Sequence, residues 1–241
     1  MEQHYKNLAK SFDINWDFSN NYKKWAIIRI GKYLELNTND TFIDIGGGTG
    51  IFTHMISLHY KIKQAICVEP EKSMCKIARG YTTFQTICSN ALSFANKKNY
   101  SCSKLLFKEV IHHINDRKKL WDKIYSNTTK NTRILIYTRP QNIEFPLFKK
   151  AKNKFLMNQP HHNSIMKELQ QSGFNTEVYF EDFVFEMSKD SWHKMIKNKF
   201  MSDLSTFSDS EIENGIKEIE QQYNTNTYII KDKIIFIIAY K

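Results

Sequence analysis

The sequence predicts an α/β protein built on a parallel sheet with helices on both faces. Two observations carry that prediction. Strand-like and helix-like patterns alternate from about residue 41 onward, which is the signature of strand-helix-strand units. The first predicted strand also runs straight into four glycines, at 46, 47, 48 and 50, where such a sheet turns into its first helix. Strands are expected at 41–45, 64–69, 83–88, 103–108, 132–138, 175–185 and 232–240, seven in all. Helices fall between them at 50–59, 71–79, 90–96, 116–126 and 161–172, the last closed by Gly173 at a position where left-handed backbone suits glycine.

Three segments stand outside the alternation. Residues 1–36 read as one or two N-terminal helices with an apolar stripe of Trp25, Ile28, Ile30 and Leu34. Residues 140–159 form a long connection after the fifth strand. Residues 188–222 form a helical insertion, in which Ser208 and Glu211 make a capping box that opens a helix through Glu220. Ligands of open parallel sheets bind beyond the carboxyl ends of the strands, so these segments are placed to roof that crevice.

The 241 residues fit a single domain (1–241) with a full core, and 41% hydrophobic residues exclude global disorder. No leader segment or membrane span is read from the sequence. Cys67, Cys75, Cys88 and Cys102 show no metal-ligand spacing. Cys67 and Cys88, inside predicted strands, are expected to act as small buried hydrophobes in a reduced, cytoplasmic protein without a structural metal. The net charge of +10 invites a nucleic-acid partner. Its lysines are spread along the chain at helical spacing, however, as solvated helix faces are, so nucleic acid is not the expected partner.

The glycine run belongs to a longer pattern, Asp44-Ile45-Gly46-Gly47-Gly48-Thr49-Gly50. A dinucleotide fingerprint would need Gly or Ala at 51, where Ile51 stands. The second predicted strand ends in Glu69-Pro70, an acid able to accept from both hydroxyls of a ribose. Cys88-Ser89-Asn90-Ala91 follows the third strand, and Phe107-Lys108-Glu109-Val110-Ile111-His112-His113-Ile114 follows the fourth. In order and kind these motifs, over roughly residues 40–140, resemble the class I S-adenosylmethionine-dependent methyltransferases, in particular their small-molecule members of type 11.

That resemblance implies a Rossmann-like sheet of seven strands with the last antiparallel, helices on both faces and a helical cap. It implies S-adenosylmethionine as cofactor, with Asp44, Gly46, Gly47, Gly48, Glu69, Asn90, Ala91 and Glu109 as cofactor-binding positions. The family commonly has Asp where Asn90 stands, and Asn90 reads equally well as a helix N-cap. The implied activity is methylation of a small molecule, with an anionic acceptor as one form of it. An RNA or tRNA methyltransferase and a non-catalytic cofactor-binding subunit are the alternatives.

Methyl transfer from a sulfonium needs alignment above all, and a base only when the acceptor arrives protonated. His112 and His113 are the candidates for that base, weighed against a packing role. Arg139 precedes Pro140, which holds it extended past the fifth strand. Its guanidinium is expected either to recognise an anionic acceptor or to sit in a surface ion pair. Tyr5, Phe12, Trp16 and Tyr22 are candidates to close over a substrate.

Overall fold

The structure, a computed structural model, describes residues 20–97 and 102–241. Its elements in chain order begin with α1 (Asn20–Leu34), β1 (Thr41–Ile45), α2 (Ile51–Tyr60), β2 (Gln64–Glu69), α3 (Lys72–Ala78) and β3 (Gln85–Cys88). Then come α4 (Ala91–Ala95), β4 (Lys104–Lys108), a 3-10 turn (Ile111–His113), α5 (Arg117–Asn127) and β5 (Arg133–Thr138). The chain continues through α6 (Lys149–Asn158), α7 (His162–Gln171), β6 (Asn175–Ser188), α8 (Lys189–Lys197), a second 3-10 turn (Ser202–Thr206), α9 (Asp209–Gln222) and β7 (Thr227–Tyr240).

The seven strands form one sheet in the order β3-β2-β1-β4-β5-β7-β6. The first five are mutually parallel, and β7 runs antiparallel to both β5 and β6. Strand sequences explain why the sheet is buried on both sides. In β4, Leu105 and Phe107 enter one core cluster while Leu106 enters the other. In β5, Ile134 and Ile136 face the first and Leu135 and Tyr137 the second. The period-2 alternation is thus apolar on both faces, as central strands of covered sheets require. One face is covered by α4, α5 and α7 through Phe94, Trp121 and Leu169, the other by α1 and α2 through Ala26, Ile30 and Ile56.

The β6–β7 ribbon is longer than the sequence suggests. It pairs without interruption from Asn175 with Tyr240 to Ser188 with Thr227. Strand β5 accompanies β7 only from Tyr240 to Ile235. The other half of the ribbon therefore rises past the carboxyl ends of the parallel strands and carries the insertion between its strands. That insertion has a core of its own. Trp192 and Ile196 of α8 and Ile212, Ile216 and Ile219 of α9 recur at helical spacing and are buried with Phe148, Phe155 and Leu204. Ser208 and Glu211 form the reciprocal capping box at the start of α9.

Several expectations need correction. The connection 140–159 contains α6, whose Ala151 and Phe155 pack into the cap core. The buried stripe of α1 is Ala26, Ile27, Ile30 and Leu34, whereas Ile28 points outward. Cys88 is an exposed strand end and is joined to Cys75 in a disulfide with the Cα atoms 6.0 Å apart, so it is not a buried hydrophobe. Cys67 is buried and free. Tyr5, Phe12 and Trp16 lie outside the described residues. No described helix is long and apolar enough to cross a membrane.

Candidate functional site

A cavity of about 530 Å³ opens where the parallel strands end and the cap begins. That volume lies within the range of small-molecule sites. Its floor comes from the ends of β1, β2 and β4: Asp44, Gly46, Gly47, Gly48, Glu69, Lys108 and Glu109 all line it. Its roof comes from Phe155 on α6 and from Phe200 to Asp203 in the cap.

The glycine loop has the backbone that its sequence requires. Gly46 has φ +74°, and a Cβ there would stand 2.4 Å from the Val110 side chain. Gly48 has φ +59° and donates its N–H to Glu69 Oε2 at 3.0 Å. Side chains rarely adopt such angles, so glycine is needed to make the turn. The same Glu69 accepts from the Glu71 N–H through Oε1 at 2.9 Å. Both carboxylate oxygens are thereby fixed by backbone donors, and each keeps a lone pair for a further partner. Burial raises the Glu69 pKa, and these two hydrogen bonds work against that rise.

Asp44 is buried at the end of β1. Its Oδ2 accepts from the Thr53 hydroxyl at 2.6 Å, whereas its buried Oδ1 has no hydrogen-bond partner. Burial pushes its pKa up to about 6, held back by Thr53 and by the charge of Lys108. An unsatisfied buried acceptor beside a glycine loop calls for a donor that a ligand can bring. The residues present therefore fit an adenosyl amino acid cofactor, with hydroxyl and ammonium donors for Glu69 and Asp44.

Asn90 and Ala91 stand apart from this set, for they do not line the cavity. The Asn90 side chain is the N-cap of α4, its Oδ1 accepting from Ser93 N–H at 2.8 Å. The cap reading of Asn90 is what the geometry shows. Its amide hydrogens remain as donors.

Glu109 lines the cavity, whereas Arg139 lies elsewhere than expected. Arg139 is 1% exposed, so it is neither a surface ion pair nor a group projecting into the crevice. Its Nε and Nη2 form a fork on Asp232, each bond 2.7 Å, and Asp232 is fully buried on β7. Nη1 donates to Glu109 and Nη2 also to the Tyr22 hydroxyl at 3.3 Å. Tyr22 in turn meets the Tyr137 hydroxyl at 2.9 Å, which places it in the core and not over a substrate. The network ties α1, β5 and β7 together beneath the cap.

His112 and His113 both line the cavity, with ring centroids 4.0 Å apart. Burial lowers the His112 pKa to about 4, with the Arg139 charge adding to the effect. Burial, then the neighbouring His112, lowers that of His113 to about 3. Both rings are thus neutral at physiological pH and weakly basic, which suits walls better than proton acceptors.

Sequence reasoning passed over Lys108, Asp232 and Asp203. Lys108 ends the strand Lys-Leu-Leu-Phe-Lys, and Asp232 stands between two lysines in an Ile-rich one. A charge next to a buried apolar run was the available signal for both.

Comparison with known proteins bears on this geometry. Residues 43–136 match the family model described as "Methyltransferase domain". Comparison with curated protein sequences finds no match. Among solved structures, the YcgJ protein of Bacillus subtilis superposes with a TM-score of 0.63 at 15% identity, over 90% of this chain and 98% of that one. An S-adenosylmethionine-dependent methyltransferase of Archaeoglobus fulgidus gives 0.57 at 18% identity, over 91% and 94%. Phosphoethanolamine N-methyltransferase 2 of Haemonchus contortus, solved with phosphomonomethylethanolamine and S-adenosylhomocysteine, gives 0.64 at 15% identity. It is matched over 98% of this chain and 57% of its own. At these identities the structures speak for the fold, and the family model speaks for residues 43–136. Over residues 43–136 the chain is similar to a methyltransferase domain, and its whole fold is that of the solved methyltransferases.

Proposed function

We propose that the protein methylates a small-molecule acceptor held between the strand ends and the cap, with S-adenosylmethionine as donor. The observation that carries this reading is Glu69, fixed by two backbone N–H groups on the wall of a roofed cavity that also contains the glycine loop and Asp44. When bound, the cofactor supplies a methyl group already activated on a sulfonium, so the protein's task is chiefly alignment.

In this reading Glu69 receives the ribose hydroxyls, and Gly46, Gly47 and Gly48 bring bare backbone against the cofactor. Asp44 takes a donor on its open Oδ1. Glu109, held by Arg139, closes the floor between the loop and His112. Asn90, with its oxygen bonded to the cap, offers chiefly its N–H donors to an adenine edge, with Ala91 beside it. His112 and His113 shape the acceptor space as neutral rings. Phe155, Phe200 and Met201 roof that space, and this enclosure favours a small acceptor over a polynucleotide.

Calorimetry with S-adenosylhomocysteine tests the cofactor half of the proposal. A screen of metabolite pools, scored by a mass gain of one methyl group that depends on S-adenosylmethionine, tests the other. Binding without any methylated product would instead favour a non-catalytic cofactor-binding subunit. A steep loss of acceptor binding with salt would favour RNA.

A further inference from the structure

We propose that Lys108 selects the acceptor, binding a carboxylate or similar anionic oxygen group on an otherwise apolar molecule. This rests on the methyltransferase reading above and names the class of acceptor. Lys108 closes β4 and lines the cavity beside Asp44 and Glu109. Its ammonium lies 4.2 Å from the Phe52 ring centroid and 5.1 Å from that of Tyr137. Among the described residues no acceptor atom hydrogen-bonds to it. A partly buried ammonium has three donors to satisfy, and ring faces satisfy none of them fully. Of the other basic groups nearby, the Arg139 fork is taken up by Asp232 and both histidines are neutral, while Lys23 of α1 lines the cavity as a second ammonium. Around Lys108 the acceptor side of the cavity carries the apolar side chains of Phe52, Val110, Phe155, Phe200 and Met201. An anionic oxygen would fill the open donors while the body of the molecule packs on the rings.

The test compares benzoate with benzamide, which has the same shape without the charge, on protein saturated with S-adenosylhomocysteine. Wild-type protein should prefer benzoate by about tenfold or more, the range for a hydrogen bond to a charged group. Lys108→Met should lose that preference with S-adenosylhomocysteine affinity unchanged. Lys108→Arg should keep it. Raising the pH through about 8 should erase the wild-type preference, since burial lowers the Lys108 pKa to that value against the pull of Glu109, Asp44 and Asp232 and with the push of Arg139. The arginine variant, charged throughout, should show no such loss. Equal binding of benzoate and benzamide to wild type would overturn the proposal. So would a fall in S-adenosylhomocysteine affinity in Lys108→Met, which would assign Lys108 to the cofactor's own carboxylate. Failure of wild type to bind S-adenosylhomocysteine would instead count against the methyltransferase reading.

Discussion

Replacing Arg139 by Lys should destabilise the protein and leave its cofactor affinity nearly intact. The guanidinium makes two bonds to Asp232, one to Glu109 and one to the Tyr22 hydroxyl. Lysine keeps the charge but is a single point of it, so it cannot span the Asp232 fork and reach Glu109 together. At least one or two charge-assisted bonds are lost, each worth about 1.5–3 kcal/mol, with part recovered by the remaining attraction. A net cost of about 2–4 kcal/mol follows. Arg139→Met removes the cation bonded to the buried Asp232 and the half-buried Glu109 and should cost about 3–5 kcal/mol. The methionine variant also has a pH signature. Asp232, buried without its partner, would hold its proton more tightly folded than unfolded, so stability should fall as pH rises through its folded pKa. Urea unfolding followed by far-UV circular dichroism, at acidic and neutral pH, measures both effects. S-adenosylhomocysteine titration of the folded fraction checks the site. If Arg139→Lys unfolds within about 0.5 kcal/mol of wild type, as an ordinary surface substitution does, the network is not what holds this corner.

Three further outcomes can be checked on the same protein. Gly48→Val, at φ +59°, should abolish S-adenosylhomocysteine binding in a folded protein, read by calorimetry beside a circular dichroism spectrum. Glu69→Gln turns an amide N–H₂ toward the Gly48 or the Glu71 N–H and should weaken cofactor binding by about 1.5–3 kcal/mol, with a 2′,3′-dideoxy analogue binding both proteins alike. Asp44 has a folded pKa of about 6 against 3.8 for the free group, so its contribution to stability should decline as pH rises from about 4 through 6, and Asp44→Asn should flatten that part of the urea-unfolding profile.

How much of this was legible depended on sequence distance. The strands of the sheet were readable because β1, β4 and β5 alternate apolar residues over both faces, a local pattern with a physical cause. The cavity floor was readable because Asp44, the glycines and Glu69 sit at the ends of neighbouring parallel strands, 25 residues or fewer apart in the chain. Arg139 was misplaced because the Asp232 that claims it lies 93 residues away on an antiparallel strand. Pro140 indicates where the backbone of Arg139 goes, but not which way its side chain turns. Cys88 reads as a strand residue, and nothing in the spacing from Cys75 shows that β3 ends beside α3. The full reach of the β6–β7 ribbon was hidden because Thr227 to Lys233 carries charged and polar residues on a segment that runs beyond β5.

The two walls of the cavity come from different parts of the chain. Its floor, Asp44 to Glu69 and Lys108 to His113, falls inside residues 43–136, the part that matches a family model. Its roof, Phe155 and Phe200 to Asp203, falls outside that match, on α6 and on the insertion borne by the β6–β7 ribbon. In the proposed reading, cofactor recognition would rest on the matched segment and acceptor recognition on the segments outside it. The roof is also tied down: Asp203 accepts from Asn158 Nδ2 at 2.5 Å, joining the cap turn to α6, and Trp192 Nε1 donates to the Pro146 carbonyl at 2.8 Å. A cap with its own buried core opens, if at all, near its rim, where the Ser202–Thr206 turn meets the cavity. Hydrogen exchange should therefore show α8 and α9 protected in the free protein. The 202–206 turn should gain protection when S-adenosylhomocysteine and a bound carboxylate are both present. Uniform exchange across the whole cap, unaltered by either ligand, would show that the roof does not sense the site beneath it.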